Sequence, residues 1–297
     1  MSKIRAQEIA DYIGKELIGA NTDVSSYGDL LEAIDGQMVF AKKMKAEYLQ
    51  ALNSGRHLLA IVSEEYAGRV RCSHIVSANA RLDYIRCLSH FFGRQSIAGG
   101  IHPTAVIEPG AKIGEGVTIG AFCYVSSESV IGDHTCLHPH VTLDNKVTIG
   151  DNCEIKSGAV IGQEGFGFER DDDGMPLHFP HSGEVIIGND VFIGSNSTVE
   201  RATLGATRIE DHVKIDDLVQ IGHNSHIGAG SLITVGAIVC GGAILEEQSY
   251  LAPHVSVKEK VRIRKGGFAG LGAVVLHDIE ADSVVVGNPA RVLTKKQ

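Results

Sequence analysis

The chain has 297 residues, enough for one large or two ordinary domains, and its formal net charge is -9. No run of lysine and arginine is long enough to follow a phosphate backbone, so we expect no nucleic-acid binding. The six cysteines show no Cys-x-x-Cys spacing, and we find neither a signal peptide nor a long apolar run. These absences predict reduced thiols, a cytoplasmic protein and no membrane span.

The first 98 residues predict a small α/β domain. A short helix is expected to end at Gly14, apolar runs at 38–40 and 58–62 are typical of strands, and residues 79–92 carry apolar side chains at helical spacing. A cluster of glycines then marks the boundary, so the domains are expected at 1–98 and 99–297.

The second domain repeats an aliphatic residue at every sixth position. The series runs from Ile101 to Ile161, from Ile187 to Val199 and from Ile209 to Val275, 26 positions in all. This period, commonly followed by glycine, is the signature of a parallel β-helix, in which three hexapeptides form one triangular coil around an aliphatic column. The fold class is therefore mainly β, with roughly eight or nine coils that follow the α/β domain in the sequence.

Two insertions break the period, one at about 162–186 and a shorter one at 200–208. Extra residues cannot enter the packed column, so both must project as loops, where function on a rigid scaffold is often found. The first insertion contains Phe166, Phe168 and Phe179, although the chain has few aromatic residues. This concentration favours a functional loop over an insertion that is merely tolerated by the fold.

Residues 221–228 read Ile-Gly-His-Asn-Ser-His-Ile-Gly and differ from the bland repeats around them. His223 lies two positions past the inward Ile221 and should point outward from a corner, where an imidazole can accept a proton near neutral pH. Gly241 lies 18 residues further on, one full coil, so its N–H could face the same reacting atom, and Asp216 could orient the ring. A base and a backbone donor one strand apart suit acyl transfer; the alternative is a solvated surface histidine.

Three parts of the chain resemble the UDP-3-O-acylglucosamine N-acyltransferases, a family of the hexapeptide acyltransferase superfamily. They are residues 215–228, residues 165–187, and the first domain with Phe40 and Tyr48. The resemblance covers nearly the whole chain. It implies a left-handed β-helix, a homotrimer with active sites between subunits, a uridine-binding first domain, and His223 as the base that deprotonates the sugar amine.

The resemblance also implies that the N–H of Gly241 stabilises the oxyanion. The residues expected to contact the nucleotide-linked sugar are Phe40, Tyr48, Phe166, Phe168, His181, Gln220 and Asn224. The residues expected to contact the acyl donor are Lys260, Arg262, Lys265 and Asn288. Three positions depart from the family: Asp217 replaces an asparagine, Lys260 replaces a donor-side histidine, and the interval from Phe40 to Tyr48 is longer.

The identity of the acyl donor is open. A basic cluster would suit either an acidic acyl carrier protein or the phosphates of coenzyme A, and it contains Lys258, Lys260, Arg262, Arg264 and Lys265. Residues 269–297 resemble the tail of coenzyme-A-dependent sugar acetyltransferases, and we expect no carrier-protein-binding helix after Gln297. We therefore favour a short or medium acyl group on coenzyme A, with a long acyl group on a carrier protein as the alternative.

The main interpretation is an N-acyltransferase acting on a nucleotide-linked amino sugar in bacterial envelope glycolipid or polysaccharide synthesis. It would hold no permanent cofactor and use acyl-coenzyme A or acyl-acyl carrier protein as co-substrate. The alternatives are a lipid A enzyme that uses the carrier protein, a non-catalytic solenoid that binds nucleotide sugars, and a metal-dependent hydratase. No metal site is expected in the histidine-rich segment 133–140, because Leu137 occupies the inward register and the other side chains alternate around a corner. His226 is expected to line the cleft rather than act as the base.

Overall fold

The computed structural model describes residues 3–93 and 99–293. The chain divides into two compact units, Met1–Ser96 and Ile97–Gln297. Residues 94–98 are outside the described residues, and the boundary predicted after residue 98 lies at the edge of that segment.

The first unit is a small α/β fold. Its strands are β1 (Ile4–Arg5), β2 (Leu17–Ile18), β3 (Asp23–Val24), β4 (Ser26–Tyr27), β5 (Gln37–Ala41), β6 (Leu59–Val62) and β7 (Ser73–Val76). Its helices are α1 (Ala6–Tyr12), α2 (Ala46–Leu52) and α3 (Ala80–Phe91), with a 3-10 turn at Glu64–Tyr66. The main sheet has the order β2-β7-β6-β5-β4, and β4 to β7 are parallel to one another.

Helices cover both faces of this sheet. Met38 packs with Ile9 of α1 and Tyr84 of α3 on one face, whereas Val39 packs with Leu52 of α2 on the other. All four residues of β6 are buried, as expected of a parallel strand between two helical layers. The predicted strands and the helix over 79–92 are confirmed, while α2 was not predicted. α3 is the longest described helix at 12 residues, and no described helix combines the length and apolar composition needed to cross a bilayer.

The second unit is a solenoid of very short strands. The strands before the first insertion are β8 (Gly100–Ile101), β9 (Val106–Ile107), β10 (Lys112–Ile113), β11 (Thr118–Ile119), β12 (Tyr124–Val125), β13 (Val130–Ile131), β14 (Cys136–Leu137), β15 (Thr142–Leu143), β16 (Val147–Ile149), β17 (Glu154–Ile155) and β18 (Val160–Ile161). The insertion contains β19 (Phe168–Arg170) and β20 (Pro176–His178). The strands that follow are β21 (Glu184–Ile187), β22 (Phe192–Ile193), β23 (Thr198–Val199), β24 (Ala206–Ile209), β25 (Lys214–Ile215), β26 (Gln220–Ile221), β27 (His226–Ile227), β28 (Leu232–Ile233), β29 (Ile238–Val239), β30 (Ile244–Leu245), β31 (Tyr250–Leu251), β32 (Ser256–Val257), β33 (Arg262–Ile263), β34 (Phe268–Ala269), β35 (Val274–Val275), β36 (Val284–Val286) and β37 (Arg291–Val292).

Three sheets form the sides of the solenoid. The first sheet has 11 strands from β8 to β37, the second has nine from β9 to β35, and the third has eight from β10 to β33. Apart from β37, which is antiparallel to β36, the strands of these sheets pair in parallel, each with the equivalent strand of the next coil. Ile221 lies beside Val239, and Val239 beside Val257, so one uninterrupted coil takes 18 residues. The predicted parallel β-helix is confirmed.

The aliphatic column fills the centre of the coils. Every predicted inward position from Ile119 to Val275 is buried, whereas Ile101 in the first coil is 51% exposed because no earlier described coil covers it. Burial of each aliphatic side chain contributes roughly 1.5–3 kcal/mol. In the histidine-rich segment, Leu137 is fully buried, and His134 and His140 occupy corner positions with positive φ.

Both insertions leave the coils at the same edge, where the second sheet turns into the third. The first insertion lies between β18 and β21 and contains an antiparallel hairpin, and the shorter one lies between β23 and β24. We call this edge the insertion corner. Its turns in the middle coils are residues 162–183, 200–205, 222–225, 240–243 and 258–261.

Candidate active site

His223 lies on the insertion corner, two residues after the end of β26. Its ring Nδ1 is 3.0 Å from Oδ1 of Asn224. The same oxygen accepts hydrogen bonds from the backbone N–H of Thr203 at 3.0 Å and from its hydroxyl at 2.8 Å, while the Asn224 amide donates to the carbonyl of Leu204 at 3.0 Å. A backbone N–H can only donate and a carbonyl can only accept, so these contacts fix the orientation of the Asn224 side chain.

The orientation of Asn224 sets the tautomer of His223. Because Oδ1 of Asn224 is an acceptor, Nδ1 of a neutral His223 carries the proton and Nε2 keeps its lone pair. The ring is therefore presented as a base through Nε2. Asn224 itself adopts φ 60, a conformation that asparagine tolerates better than most residues.

Gly241 lies against this basic nitrogen. A Cβ atom built at Gly241 would be 2.6 Å from Nε2 of His223 and 2.7 Å from Cε1. Real Cβ atoms do not approach other atoms so closely, so a residue without a side chain is required for the imidazole to occupy this position.

The backbone N–H of Gly241 is available as a donor. In five other turns of the described coils, the equivalent N–H donates to a carboxylate of the preceding coil at 2.9–3.2 Å. These pairs are Ser127 with Glu108, His223 with Glu200, Ala229 with Glu210, Val235 with Asp216, and Lys265 with Glu246. The position that would supply the carboxylate to Gly241 is Gly222, and within residues 3–93 and 99–293 the Gly241 N–H has no acceptor.

Asp216 does not orient His223, contrary to our expectation. Its carboxylate accepts the backbone N–H of Val235 at 3.2 Å. Asp216 follows β25 of the first sheet and therefore lies on a different corner from His223, which follows β26 of the second sheet. The contact expected of Asp216 is made by Asn224.

His181 brings the first insertion against His223. It is 2% exposed, and the two imidazole rings meet edge to face with their centroids 5.1 Å apart. Nδ1 of His181 contacts the carbonyl of Phe179 at 2.9 Å, so it carries the proton, and Nε2 is buried with no hydrogen-bond partner among the described residues. A Cβ at Gly165 would lie 2.9 Å from Cδ2 of His223, which places the start of the insertion beside the same ring.

The predicted aromatic residues of the insertion are exposed. Phe166 is 86% and Phe168 48% exposed, and their ring centroids are 4.9 Å apart. The predicted sugar contact Gln220 lies on the outer side of β26 and donates to Oε1 of Glu200 at 3.1 Å. These side chains form an open aromatic and polar surface beside the corner.

Sequence reasoning missed Arg201 and Glu200, which stabilise the insertion corner through hydrogen bonds. Arg201 is 8% exposed and donates to the carbonyls of His181 and Gly162 at 2.8 and 2.7 Å and to Glu164 at 2.9 Å. Glu200 accepts the backbone N–H of His223 at 3.1 Å. The sequence feature that could have revealed them is a charged Glu-Arg pair at the point where the hexapeptide period breaks.

Of the four predicted donor contacts, Lys260 shares the insertion corner with His223. Its backbone N–H donates to the carbonyl of Gly241 at 3.1 Å. Arg262 lies on the third sheet and Lys265 on the next corner, and each is paired with a glutamate at 3.0 Å. Asn288 is exposed in the segment before β37 and is joined to Pro289 by a cis peptide bond.

The predicted basic cluster is largely neutralised by its neighbours. Four of its five members lie within 4 Å of a carboxylate: Lys258 with Glu259, Arg262 with Glu246, Arg264 with Glu280, and Lys265 with Glu247. Lys260 has no ion pair within the described part of the chain. Among the described residues of this cluster, Lys260 is therefore the one free cation beside the site, and the cluster is not a broad basic patch.

His226 lies away from the corner, on the outer side of β27 in the third sheet. Its Nε2 is 2.6 Å from a carboxylate oxygen of Glu210. This contact and its position separate it from the His223 ring.

The first unit contains a cavity of about 270 Å³ at the carboxyl end of β5. Phe40 and Tyr48 both line it, together with Lys42, Lys43 and Lys45. Lys45 lies over the Tyr48 ring with its Nζ 4.7 Å from the centroid, and Phe40 packs on Tyr84. Aromatic faces and ammonium groups in one cavity suit a base and its phosphates.

The repeats match two known family models. Residues 128–163 match the bacterial transferase hexapeptide (six repeats), and residues 184–216 match the hexapeptide repeat of succinyl-transferase. The chain is thus a member of the hexapeptide acyltransferase superfamily.

Relatives narrow the assignment within this superfamily. UDP-3-O-acylglucosamine N-acyltransferase of Coxiella burnetii is 34% identical over 70% of this chain and 66% of its own length. The enzyme of the same name from Pseudomonas putida is 36% identical over 70% and 64%, respectively. The chain is a UDP-3-O-acylglucosamine N-acyltransferase-like protein that spans slightly less than two thirds of the length of these relatives.

A solved structure agrees with the fold. The UDP-N-acetylglucosamine acyltransferase of Francisella novicida superposes with a TM-score of 0.60 and 28% identity, covering 65% of this chain and 68% of that one.

Proposed function

We propose that the chain is an N-acyltransferase that moves an acyl group from a pantetheine thioester to the amino group of a nucleotide-linked amino sugar. The reaction would serve bacterial envelope glycolipid or polysaccharide synthesis, and the names of the bacterial relatives support this substrate class. Cysteines that are not joined in disulfides suit the reducing cytoplasm, and they include Cys72, Cys87, Cys123, Cys153 and Cys240.

The pairing of a base with a free backbone donor carries the proposal. Nε2 of His223 holds a lone pair because Asn224 binds Nδ1, and it lies against Gly241, whose N–H has no acceptor among the described residues. Acyl transfer needs these two groups near one reacting carbonyl.

The proposed reaction runs in two steps. In the first, the sugar amine attacks the thioester carbonyl carbon, its proton passes to Nε2 of His223, and the N–H of Gly241 stabilises the oxyanion. In the second, the carbonyl re-forms, the C–S bond breaks, and the imidazolium returns the proton to the leaving thiolate. The Asn224 oxygen beside Nδ1–H stabilises the imidazolium that forms between the steps.

We propose that coenzyme A carries the acyl group. Docking of an acidic carrier protein needs a broad basic surface, whereas four of the five clustered cations are already paired and Lys260 alone is free within the described residues. A few phosphate contacts near the corner suit coenzyme A better.

Competition between the two donors tests this choice. With coenzyme A and carrier-protein thioesters of the same acyl group at equal concentration, and a panel of amino-sugar nucleotides, we expect the coenzyme A thioester to be preferred. Preference for the carrier-protein thioester by more than about tenfold in kcat/KM would restore the lipid A enzyme with its long acyl group. If no combination of thioester and amino-sugar nucleotide releases thiol, the result would favour a non-catalytic solenoid that binds nucleotide sugars.

The nucleotide is proposed to bind in the cavity of the first unit. We expect Tyr48→Ala and Phe40→Ala each to weaken uridine-nucleotide binding by about tenfold, because loss of an aromatic platform costs about 1–3 kcal/mol. Titration calorimetry with the intact chain measures the affinity. Tyr27→Ala is a matched control, since Tyr27 is exposed and does not line the cavity. Unchanged affinity in both cavity variants would assign the first unit another role.

We also propose that the chain forms a homotrimer. The flat sides of the β-helix expose apolar residues such as Val106, Leu232 and Ile238, which association would bury. Sedimentation is expected to give three times the chain mass of 31.6 kDa. A stable monomer at working concentration would contradict the proposal.

A further inference from the structure

We propose that Glu164, His178 and His181 form a transition-metal site at the base of the first insertion. One ligand atom from each residue lies within 4.8 Å of the other two. Glu164 lies before β19, and His178 and His181 lie in and after β20, so a bound ion would join the two arms of the insertion. Glu164 and His178 have no part in the acyl-transfer step proposed above, whereas His181 also packs against the ring of His223.

His181 is prepared to act as a ligand. It is 2% exposed, and within residues 3–93 and 99–293 its buried Nε2 has no hydrogen-bond partner. Its Nδ1 donates to the carbonyl of Phe179 at 2.9 Å, which leaves the lone pair on Nε2. Histidine ligands in metal sites commonly have their second nitrogen held in this way by a backbone carbonyl.

Glu164 and His178 already have the spacing of neighbouring ligands. Nε2 of His178 lies 3.1 Å from a carboxylate oxygen of Glu164. In a tetrahedral zinc site with bonds of about 2.0–2.1 Å, neighbouring ligand atoms lie about 3.3 Å apart. Closing the site therefore requires the distances between ligand atoms to shorten by about 1.5 Å or less, and the ion would displace the proton between Glu164 and His178.

The surrounding charges permit a cation. Arg201 holds the second oxygen of Glu164 at 2.9 Å and so orients the carboxylate, although its positive charge opposes the ion. Asp144 lies 3.7 Å from the same guanidinium and offsets that charge. Two imidazoles and one carboxylate suit Zn²⁺ or Co²⁺ better than Mg²⁺ or Ca²⁺, and three protein ligands leave a fourth position open.

Cobalt and zinc titrations of the chelator-treated, full-length chain test the site. We expect one equivalent of Co²⁺ per chain, with visible absorption bands of a tetrahedral site that Zn²⁺ abolishes. His178→Ala is expected to weaken binding by more than about tenfold, and because His178 is exposed the fold should survive. Glu164→Gln is the second variant and should behave similarly.

The matched control is His212→Ala. His212 lies 3.5 Å from Asp190 but belongs to no three-ligand cluster in the described parts of the chain, so cobalt binding should be unchanged. Binding that is equal in wild type, His178→Ala and Glu164→Gln would overturn the proposal, as would no binding at about 100 µM Co²⁺. Neither readout requires acyl transfer, so failure here is distinguishable from failure of the proposed function.

Discussion

Replacement of His223 by alanine is expected to lower the turnover of acyl transfer by about 10²–10⁴-fold, the usual contribution of a positioned general base. The variant loses Nε2, which lies against Gly241, and the sugar amine then has no group to take its proton. Folding should change little, because the ring lies on a corner outside the aliphatic column and its backbone contacts remain.

Thiol release under saturating substrate measures this effect, and His226→Ala is the control. His226 is a histidine three positions further on, but it contacts Glu210 on the third sheet and should leave the rate near that of the wild type. A near-normal rate for His223→Ala would remove His223 from the mechanism.

Replacement of Gly241 by alanine is expected to lower turnover by about 10²-fold or more while the chain stays folded. The added methyl group would meet Nε2 and Cε1 of His223 at 2.6 and 2.7 Å, so the imidazole must move away from the N–H that is proposed to stabilise the oxyanion. Loss of one such donor costs about 10²–10³-fold in kcat. Gly241 does not have a positive φ, so alanine introduces no backbone strain there.

A second glycine serves as the control for this experiment. At Gly99 the added Cβ would meet no atom closer than 4.0 Å, and its φ is also not positive, so Gly99→Ala should retain normal turnover. If Gly241→Ala keeps wild-type kcat, Gly241 is neither the oxyanion donor nor the neighbour that positions His223.

Periodicity made most of the fold predictable. A repeat of six survives in the sequence because each inward residue packs against the equivalent residue of the next coil, as Ile221 does with Val239. In the first unit no repeat exists, and the two seven-residue helices differ in how they end. Gly14 follows α1 closely and marked its end, whereas Asn53 and Ser54 follow α2, which was missed.

The site was predictable in part, for the same physical reason. Stacking of residues 18 apart placed Gly241 beside His223 correctly. The partner of His223 was assigned to Asp216 instead of Asn224, because positions within one turn are set by local backbone conformation, here the positive φ of Asn224, and not by the period. The contribution of Arg201 depends on tertiary contacts with the insertion, which no spacing in the sequence encodes.

The regular stacking of coils also relates chain length to substrate reach. Successive strands of a sheet are about 4.8 Å apart, so each 18-residue coil that follows Gly241 moves the end of the second sheet by that step. Two further strands of this sheet, β32 and β35, separate Gly241 from the segment that contains Asn288. A thioester donor anchored at that end must span this fixed interval to reach His223. Gain or loss of a whole coil between Gly241 and Asn288 would change, in discrete steps, the length of the donor arm that fits. The reacting groups would stay in place.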